Sequence, residues 1–224
     1  MYVCKLYSCG CDASVLLADN NKNGTVERET IPNRMLKGFN FIDTIKDEIE
    51  ETYPGVVSCS DILVLATRDG IVLAGGPYYP VLTGRRDSKE SFFDKAMAEI
   101  PRPNGNMSEI HRLFRSGFDE RETVALLAKG LSESAMSYSQ RLSVSTFSSI
   151  AASFDNHYYK TLMGGRGLLF ADQQLMANEK TAAVAEDYSF DDGTIFGTEF
   201  AHAMAKMSKE KFGAVAPISI LINE

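Results

Sequence analysis

Apolar residues recur at helical spacing along most of this 224-residue chain, and this periodicity narrows the folds open to it. The clearest example has intervals of 3, 3 and 4 residues and comprises Phe39, Ile42, Ile45 and Ile49. A helix would place these side chains on one face, against a core. A second such face near the C-terminus contains Ile195, Phe196, Phe200, Ala203, Met204 and Met207.

Other segments support a mainly α fold. Ser60 or Asp61 is expected to cap a buried helix that starts near Ile62 and ends before Gly75-Gly76-Pro77. Further helices are predicted over residues 108–115, 120–127, 156–162 and 194–207. Residues 78–87 show only a brief strand-like alternation, and the proline-rich residues 100–105 can form only a loop. Neither segment predicts a large sheet.

Composition limits the classes of function. A hydrophobic content of 44% suits one buried domain over residues 1–224. A formal net charge of -7 leaves no basic field for nucleic acid. The longest aliphatic run, Ile62 to Ala66, is far shorter than the roughly 20 residues that span a bilayer, so no membrane partner is expected. The chain also starts without a signal peptide pattern, which predicts a cytoplasmic location if it is expressed as written.

Three of the four cysteines, Cys4, Cys9 and Cys11, lie close together in sequence. A structural zinc site normally needs four ligands, and no fourth Cys or His lies nearby in sequence. A disulfide from Cys4 or Cys9 to Cys11 in an oxidising compartment is the favoured alternative. The fourth cysteine, Cys59, is interpreted as a free buried thiol.

Six motif groups follow one another along the chain. Residues 10–17 read GCDASVLL, residues 54–63 read PGVVSCSDIL, and residues 75–77 and 84–88 read GGP and GRRDS. Residues 154–159 read FDNHYY, residues 167–173 read GLLFADQ, and residues 200–207 read FAHAMAKM. Together and in this order, they resemble the motifs of the plant secretory (class III) haem peroxidases.

The resemblance implies a haem-peroxidase-like helical fold, incomplete here because the N-terminal helices and a segment between about residues 142 and 154 are missing relative to the family pattern. It also implies the family's reaction, in which hydrogen peroxide oxidises small phenolic donors with haem b and two calcium ions. Family members are secreted or vacuolar, and a monomer is expected. Cys11 and Cys59 match family disulfide positions, but no cysteine lies near the C-terminus to pair with Cys59.

The residues that carry the family's chemistry are replaced. A haem peroxidase needs a proximal His on iron, a distal His to move a proton and a distal Arg to stabilise charge. Cys4 stands at the distal histidine position, Gly130 stands at the proximal one, and the arginine would precede Met1. No catalytic residue of the family is therefore matched, and impaired catalysis is expected.

Two supporting residues match the family. Asn33 matches the asparagine that orients the distal histidine, and its alternative role is that of a turn residue after Pro32. Pro101 matches the loop at the haem edge where phenolic donors bind, and its alternative role is loop rigidity.

Calcium ligands match in part. Gly10 would supply a carbonyl, Asp12 and Ser14 side-chain oxygens, and Glu27 matches a residue that holds a calcium-bound water. Lys5 replaces the family's first aspartate, so weakened binding or a simple surface turn is expected. Asp155 is interpreted as a remnant of the family's second calcium site.

Three hypotheses remain open. The first is an impaired peroxidase-family member, including the product of a non-functional transcript. The second is a non-enzymatic binding protein. In the third, haem is held by an unexpected ligand such as His202, whereas His111 is expected on the solvated surface and His157 occupies a variable motif position.

Overall fold

A computed structural model describes residues 12–18, 26–34, 36–100, 104–114, 117–127, 154–167, 169–190 and 192–209. Two short 3₁₀ helices, Ser14–Leu16 and Glu27–Glu29, are followed by helices α1 (Phe39–Thr52), α2 (Cys59–Leu73), α3 (Phe93–Glu99) and α4 (Met107–Phe114). Residues 120–127 form α5. The chain continues with α6 (His157–Met163), α7 (Phe170–Ala177), α8 (Glu179–Phe190) and α9 (Thr194–Lys209).

No strand occurs within these described ranges, which confirms the mainly α prediction. The described residues fall into two compact units. Unit 1 contains residues up to Arg68, Pro80–Ile100 and residues from Met207 onward, and unit 2 contains Asp69–Tyr79 and Pro101–Lys206. A single domain over residues 1–224 stays a prediction. Within the described part of the chain, no helix is both long and apolar enough to cross a membrane.

The core of unit 1 joins the first 3₁₀ helix to α1 and α2. Ala13, Ile42, Ile62 and Leu63 are buried together, and Leu16, Ile49, Val57 and Cys59 pack against them. The apolar face predicted for α1 is therefore confirmed at Ile42 and Ile49, which pack in this core. Ile45, however, is 38% exposed, because it lies at the edge of the apolar face instead of its middle. Gly38 precedes α1 with a φ of 87°, a left-handed conformation that favours glycine.

The start of α2 is held by a distant carboxylate. Asp87 accepts hydrogen bonds from the backbone N–H groups of Cys59 (2.9 Å) and Ser60 (2.8 Å). Ser58 Oγ accepts the N–H of Asp61 at 3.1 Å. The prediction that Ser60 or Asp61 caps this helix is therefore wrong, since both lie inside its first turn. The unpaired N–H groups at a helix start are satisfied here by Ser58 and Asp87.

Unit 2 is built around aromatic rings from α6, α8 and α9. Phe196 lies at the centre, with ring centroids 5.0 Å from Phe154, 5.2 Å from Tyr159, 5.9 Å from Tyr188 and 5.8 Å from Phe200. These distances suit favourable aromatic packing. The predicted apolar face of α9 is confirmed at Phe196, Phe200, Ala203, Met204 and Met207. Ile195 is 41% exposed and does not belong to that face.

Two glycines of the sequence motifs are explained by close packing within unit 2. A Cβ atom on Gly76 would lie 2.5 Å from the Ile71 side chain and 2.8 Å from the Phe154 ring. A Cβ atom on Gly167 would lie 2.6 Å from Asp172 Cβ. Neither position has room for a side chain.

A buried carboxylate connects α5 with α9 inside unit 2. Glu122 is 1% exposed, and its Oε2 accepts hydrogen bonds from Lys206 Nζ at 2.7 Å and from the Asp119 N–H at 2.9 Å. Asp119 Oδ1 in turn accepts the Glu122 N–H at 2.8 Å. This reciprocal pair is a capping box at the start of α5.

Candidate functional site

The turn before the first 3₁₀ helix arranges the first group of candidate ligands. Ala13 adopts a left-handed conformation with φ 60°, and the Ser14 N–H donates to Asp12 Oδ1 at 3.1 Å. Such a local bond from a side chain to the backbone two residues on is typical of an Asp-initiated turn. The turn brings the Asp12 carboxylate and the Ser14 hydroxyl to one side of the backbone.

The second 3₁₀ helix brings Glu27 to the same place. Ser14 Oγ donates a buried hydrogen bond of 2.5 Å to Glu27 Oε2, and Glu27 is fully buried. The Glu27 N–H donates to Ser91 Oγ at 2.7 Å. The Ser88 N–H donates to the Asp12 carbonyl at 2.7 Å. Residues that follow the GRRD segment therefore support both parts of this site.

Burial and charge at the site both favour a cation. Loss of water by burial raises the pKa of Asp12, and the negative charge of Glu27 raises it further, although hydrogen bonds from Ser14 oppose the shift. A bound cation would stabilise the ionised form of Asp12, because its charge would offset both the loss of water and the nearby charge of Glu27. Carboxylate and hydroxyl oxygens are ligands that calcium prefers.

The set is nevertheless small for calcium. Across the described ranges, no group of three or more His, Cys, Asp or Glu side chains is arranged to hold a metal. Asp12, Ser14 and Glu27 thus supply two carboxylates and one hydroxyl, whereas calcium takes six to eight oxygens. Gly10 and Lys5 lie outside the described residues. The three residues are of the type that calcium prefers, but an ion here would need further oxygens, and the calcium site stays a prediction.

Asn33 serves the turn around Glu27. It is 5% exposed, and its Nδ2 donates to the Glu27 carbonyl at 2.8 Å. Thr30 Oγ1 donates to the same carbonyl at 2.7 Å. These contacts place Asn33 in the turn around Glu27, and its role as the residue that orients a distal histidine stays a prediction.

Asp155 belongs to unit 2 and is exposed there. Its Oδ1 accepts the N–H of His157 at 3.0 Å, at the start of α6. This contact gives Asp155 a role in starting a helix. Its assignment to a second calcium site stays a prediction.

Two of the three histidines are exposed, and the third is partly buried beside a carboxylate. His202 is 69% exposed, with Nδ1 3.1 Å from Glu122 Oε1. His157 is exposed as well. His111 is not fully solvated as predicted, because its side chain is only 24% exposed and its Nε2 lies 3.4 Å from Glu120 Oε1. Ligation of haem by any of these histidines stays a hypothesis.

His111 does line a pocket of about 640 Å³ within unit 2. Its wall combines one aromatic ring with mostly polar and charged groups: Phe118, Asp119, Glu120, Thr123, Ala177, Asn178, Glu179 and Lys180. Ligand pockets for large apolar groups are lined predominantly by hydrophobic side chains. The lining therefore does not suit a haem.

Cys59 is a free thiol, as predicted, but it is half-buried instead of buried. Burial raises the pKa of its thiol, and the nearby Asp87 carboxylate adds to the shift. Other predicted residues lie outside the described part of the chain: Cys4, Cys9, Cys11, Pro101 and Gly130.

One buried contact within unit 1 was not predicted from the sequence. Asp61 accepts bonds from the Gly84 N–H at 2.6 Å and the Arg85 N–H at 3.2 Å, and it forms an ion pair with Arg85 Nη1 at 3.1 Å. The SCSDIL and GRRDS segments are therefore bonded to one another through Asp61–Arg85 and Ser60–Asp87. The only signal of this contact in the sequence is that the two motifs occur together.

A mainly helical chain with these bonded motifs has the features of the haem peroxidase class. The peroxidase family profile matches residues 4–191. Peroxidase 4 of Vitis vinifera is 34% identical over 94% of this chain and 73% of its own length. Peroxidase P7 of Brassica rapa is 35% identical over 94% of this chain and 79% of its own length.

Peroxidase 47 of Arabidopsis thaliana is 35% identical over 89% of this chain and 69% of its own length. The chain belongs to the plant class III peroxidase family. For eight curated relatives, the matched region spans 66 to 79% of the relative's own length. The class of function that these relatives support is that of a peroxidase.

Proposed function

We propose that this chain is a peroxidase-family protein with impaired catalysis that keeps a weak calcium site. The family's reaction is the oxidation of small phenolic donors by hydrogen peroxide, with haem b as its cofactor. The observation that carries the proposal is the convergence of Asp12, Ser14 and Glu27, combined with Cys4 and Gly130 at the two positions where the family has its haem-site histidines.

The proposed impairment follows from the chemistry. When bound, haem supplies the iron that cleaves the peroxide bond. A distal base must also move a proton, a step that typically contributes 10²- to 10⁴-fold to the rate. Cys4 is a poor base for this purpose, because a thiolate is itself oxidised by peroxide. Gly130 has no side chain to offer iron.

A calcium ion at the proposed site would stabilise the folded chain. A cation between Asp12 and Glu27 would offset the cost of placing two carboxylates in a poorly hydrated space. It would thereby stabilise the turn that packs Ala13 onto α1 and α2. The substitution of Lys5 for an aspartate lowers the ligand charge and hence the affinity.

The substrates, oligomeric state and location of the family are carried over as proposals. Hydrogen peroxide and small phenols are the proposed substrates, and a monomer is the proposed state. Secretion or vacuolar delivery is proposed for the natural protein by analogy with the family.

A peroxidase assay on the full chain tests the proposal. The chain is refolded with haem b and calcium, and peroxide-dependent guaiacol oxidation is compared with that of an intact relative such as Peroxidase P7. We expect less than roughly one thousandth of the relative's rate, since more than one catalytic group is replaced. A rate within tenfold of the relative would contradict the proposed impairment.

Absorbance in the Soret region tests haem ligation separately. We expect the spectrum of the reconstituted chain to be the same in His111→Ala and His202→Ala. Loss of a strong Soret band in His202→Ala alone would show that His202 ligates haem after all.

A further inference from the structure

Three tyrosines of unit 2 form a continuous row of rings. The Tyr158 ring centroid lies 5.2 Å from that of Tyr159, which lies 5.1 Å from that of Tyr188. Both pairs have edge-to-face geometry, with interplanar angles of 79° and 67°. Rings in direct contact allow an electron to pass between them over a short distance.

The three hydroxyl groups have different acceptors. Tyr158 OH donates to the carboxylate of Asp172 at 2.8 Å. Tyr159 OH donates to the Val124 carbonyl at 3.0 Å, and Tyr188 OH donates to the Arg121 carbonyl at 3.0 Å. A carboxylate can take a proton, whereas an amide carbonyl is too weakly basic to do so. Tyr158 alone of this row has a proton acceptor in hydrogen-bond contact.

This difference decides which phenol loses an electron at lowest cost. Removal of one electron makes a phenol strongly acidic, so oxidation is easiest where the proton can leave in the same step. A positioned acceptor must lie within about 2.6 to 3.2 Å of the donor oxygen, as Asp172 Oδ1 does. At the other end of the row, the Arg121 guanidinium lies 5.3 Å above the Tyr188 ring. Its charge is offset by the carboxylates of Asp187 at 2.7 Å and Glu199 at 3.2 Å. The weakly basic acceptor of the Tyr188 hydroxyl, and not this cation, therefore disfavours a radical at Tyr188.

We propose that Tyr158 and Asp172 form a redox-active pair, with Tyr158 as the site where a one-electron oxidation of the Tyr158–Tyr159–Tyr188 row comes to rest. The co-reactant is a high-potential one-electron oxidant. The oxidant gains one electron, the Tyr158 O–H bond breaks, and its proton forms an O–H bond with Asp172. The products are a neutral Tyr158 phenoxyl radical and a neutral Asp172 carboxylic acid. A one-electron reductant reverses both transfers.

The surroundings suit such a pair. Asp172 is 2% exposed, and its second oxygen accepts the Leu169 N–H at 2.8 Å, which fixes the orientation of the carboxylate. Burial raises the pKa of the Tyr158 phenol well above its ordinary value, and the Asp172 charge adds to this shift. The phenol hydrogen already points at Asp172 Oδ1 at 2.8 Å, so transfer along this hydrogen bond is the shortest path for the proton.

Flash photolysis of the full chain tests the proposal. Photogenerated ruthenium(III) tris(bipyridine) serves as the oxidant, and tyrosyl radical is followed by its absorbance and by electron paramagnetic resonance. The described tyrosines with exposed rings, Tyr53 and Tyr78, are first replaced by phenylalanine to reduce background. In this background we compare Tyr158→Phe, Asp172→Asn, the two combined, and Tyr159→Phe as the matched control.

We expect Asp172→Asn to slow the Tyr158-dependent radical formation by roughly 10²-fold, the lower end of what a positioned proton acceptor contributes. In the Tyr158→Phe background, Asp172→Asn should then have no further effect. Tyr159→Phe should keep a radical that still responds to Asp172→Asn. An unchanged rate in Asp172→Asn, or an equal loss with and without Tyr158, would overturn the proposal.

A measurement on the otherwise natural protein covers the case in which a variant fails to fold. Radical formation at an exposed tyrosine speeds up as the concentration of buffer base rises. The Tyr158 phase should be independent of buffer base, because its acceptor is internal. If every phase depends on buffer base, the proposal is wrong.

Discussion

Ser14 and Glu27 are joined by a buried hydrogen bond of 2.5 Å, although they lie 13 residues apart. The bond connects two short 3₁₀ helices and orients a carboxylate that is fully buried. A charged acceptor in such a place depends strongly on its donors. The site is therefore part of the folded core of unit 1 as well as a candidate for binding a cation.

Replacing Ser14 tests the structural side of this relationship. Ser14→Ala removes one donor from the buried Glu27 carboxylate, so we expect a loss of about 1–3 kcal/mol in the free energy of unfolding. Ser189→Ala is the matched control, since Ser189 makes an exposed bond to the Glu186 carbonyl. Urea unfolding followed by circular dichroism measures both, and equal losses in the two variants would contradict the special role of Ser14.

The raised pKa of Asp12 predicts a pH dependence. In the folded chain this carboxyl holds its proton to higher pH than its ordinary value of 3.8. Below pH 3.8 this carboxyl does not lower the free energy of unfolding, because it is protonated in both the folded and unfolded states. As the pH rises through the pKa of the folded state, the free energy of unfolding falls. Without calcium, Asp12→Asn should therefore raise the melting temperature at pH 7, and the gain should shrink toward pH 4. Thermal unfolding in the presence of a calcium chelator at both pH values measures this gain in melting temperature. A larger gain at the lower pH would contradict a raised pKa of Asp12.

The central ring of unit 2 should dominate the stability of that unit. Phe196→Ala removes a 3% exposed ring from contact with four other aromatic rings, and we expect a loss of about 3–5 kcal/mol. Phe190→Ala is the control, because Phe190 is 76% exposed. Its effect should stay within about 0.5 kcal/mol. Chemical unfolding measures both, and similar losses would mean that the ring cluster is not the core.

Lys206 offers a test of the buried charge in unit 2. Lys206→Met keeps most of the side-chain length but removes the cation 2.7 Å from the nearly inaccessible Glu122 carboxylate. We expect a loss of about 1–3 kcal/mol, because Glu122 loses a charged donor. Lys180→Met, at an exposed position, should change stability by less than about 0.5 kcal/mol. The double variant Glu122→Gln, Lys206→Met should recover part of the stability that Lys206→Met loses. If it does not, the broken ion pair is not the cause of that loss.

The sequence predicted the helices that have strong apolar periodicity and missed those that do not. The positions of α1, α5, α6 and α9 followed from the spacing of apolar residues. Helices α3, α7 and α8 were missed, because their buried positions include small or polar residues such as Ala96, Ala171 and Thr181. Such positions carry little periodic signal, and only packing in three dimensions reveals them.

Contacts between distant residues were the least predictable part of the site. The motif match grouped Asp12, Ser14 and Glu27, and the structure brings their side chains together. The motif match could not reveal that Asp87 caps α2 from 28 residues away. It also gave no sign that His111 pairs with Glu120, since a local helical pattern says nothing about a neighbouring helix.

Calcium titration addresses the candidate site directly. The described ligands are few and Lys5 introduces a positive charge, so we expect the natural chain to bind calcium no tighter than about millimolar, the weak end of known sites. Lys5→Asp should strengthen binding, because affinity rises with the charge of the ligand set. Asp12→Ala should abolish binding, whereas Asp43→Ala, on the exposed face of α1, should leave it unchanged. Isothermal calorimetry of the four proteins decides the matter. Micromolar binding by the natural chain, or an Asp12→Ala variant that binds like the Asp43→Ala control, would show that the calcium ligands have been assigned to the wrong residues.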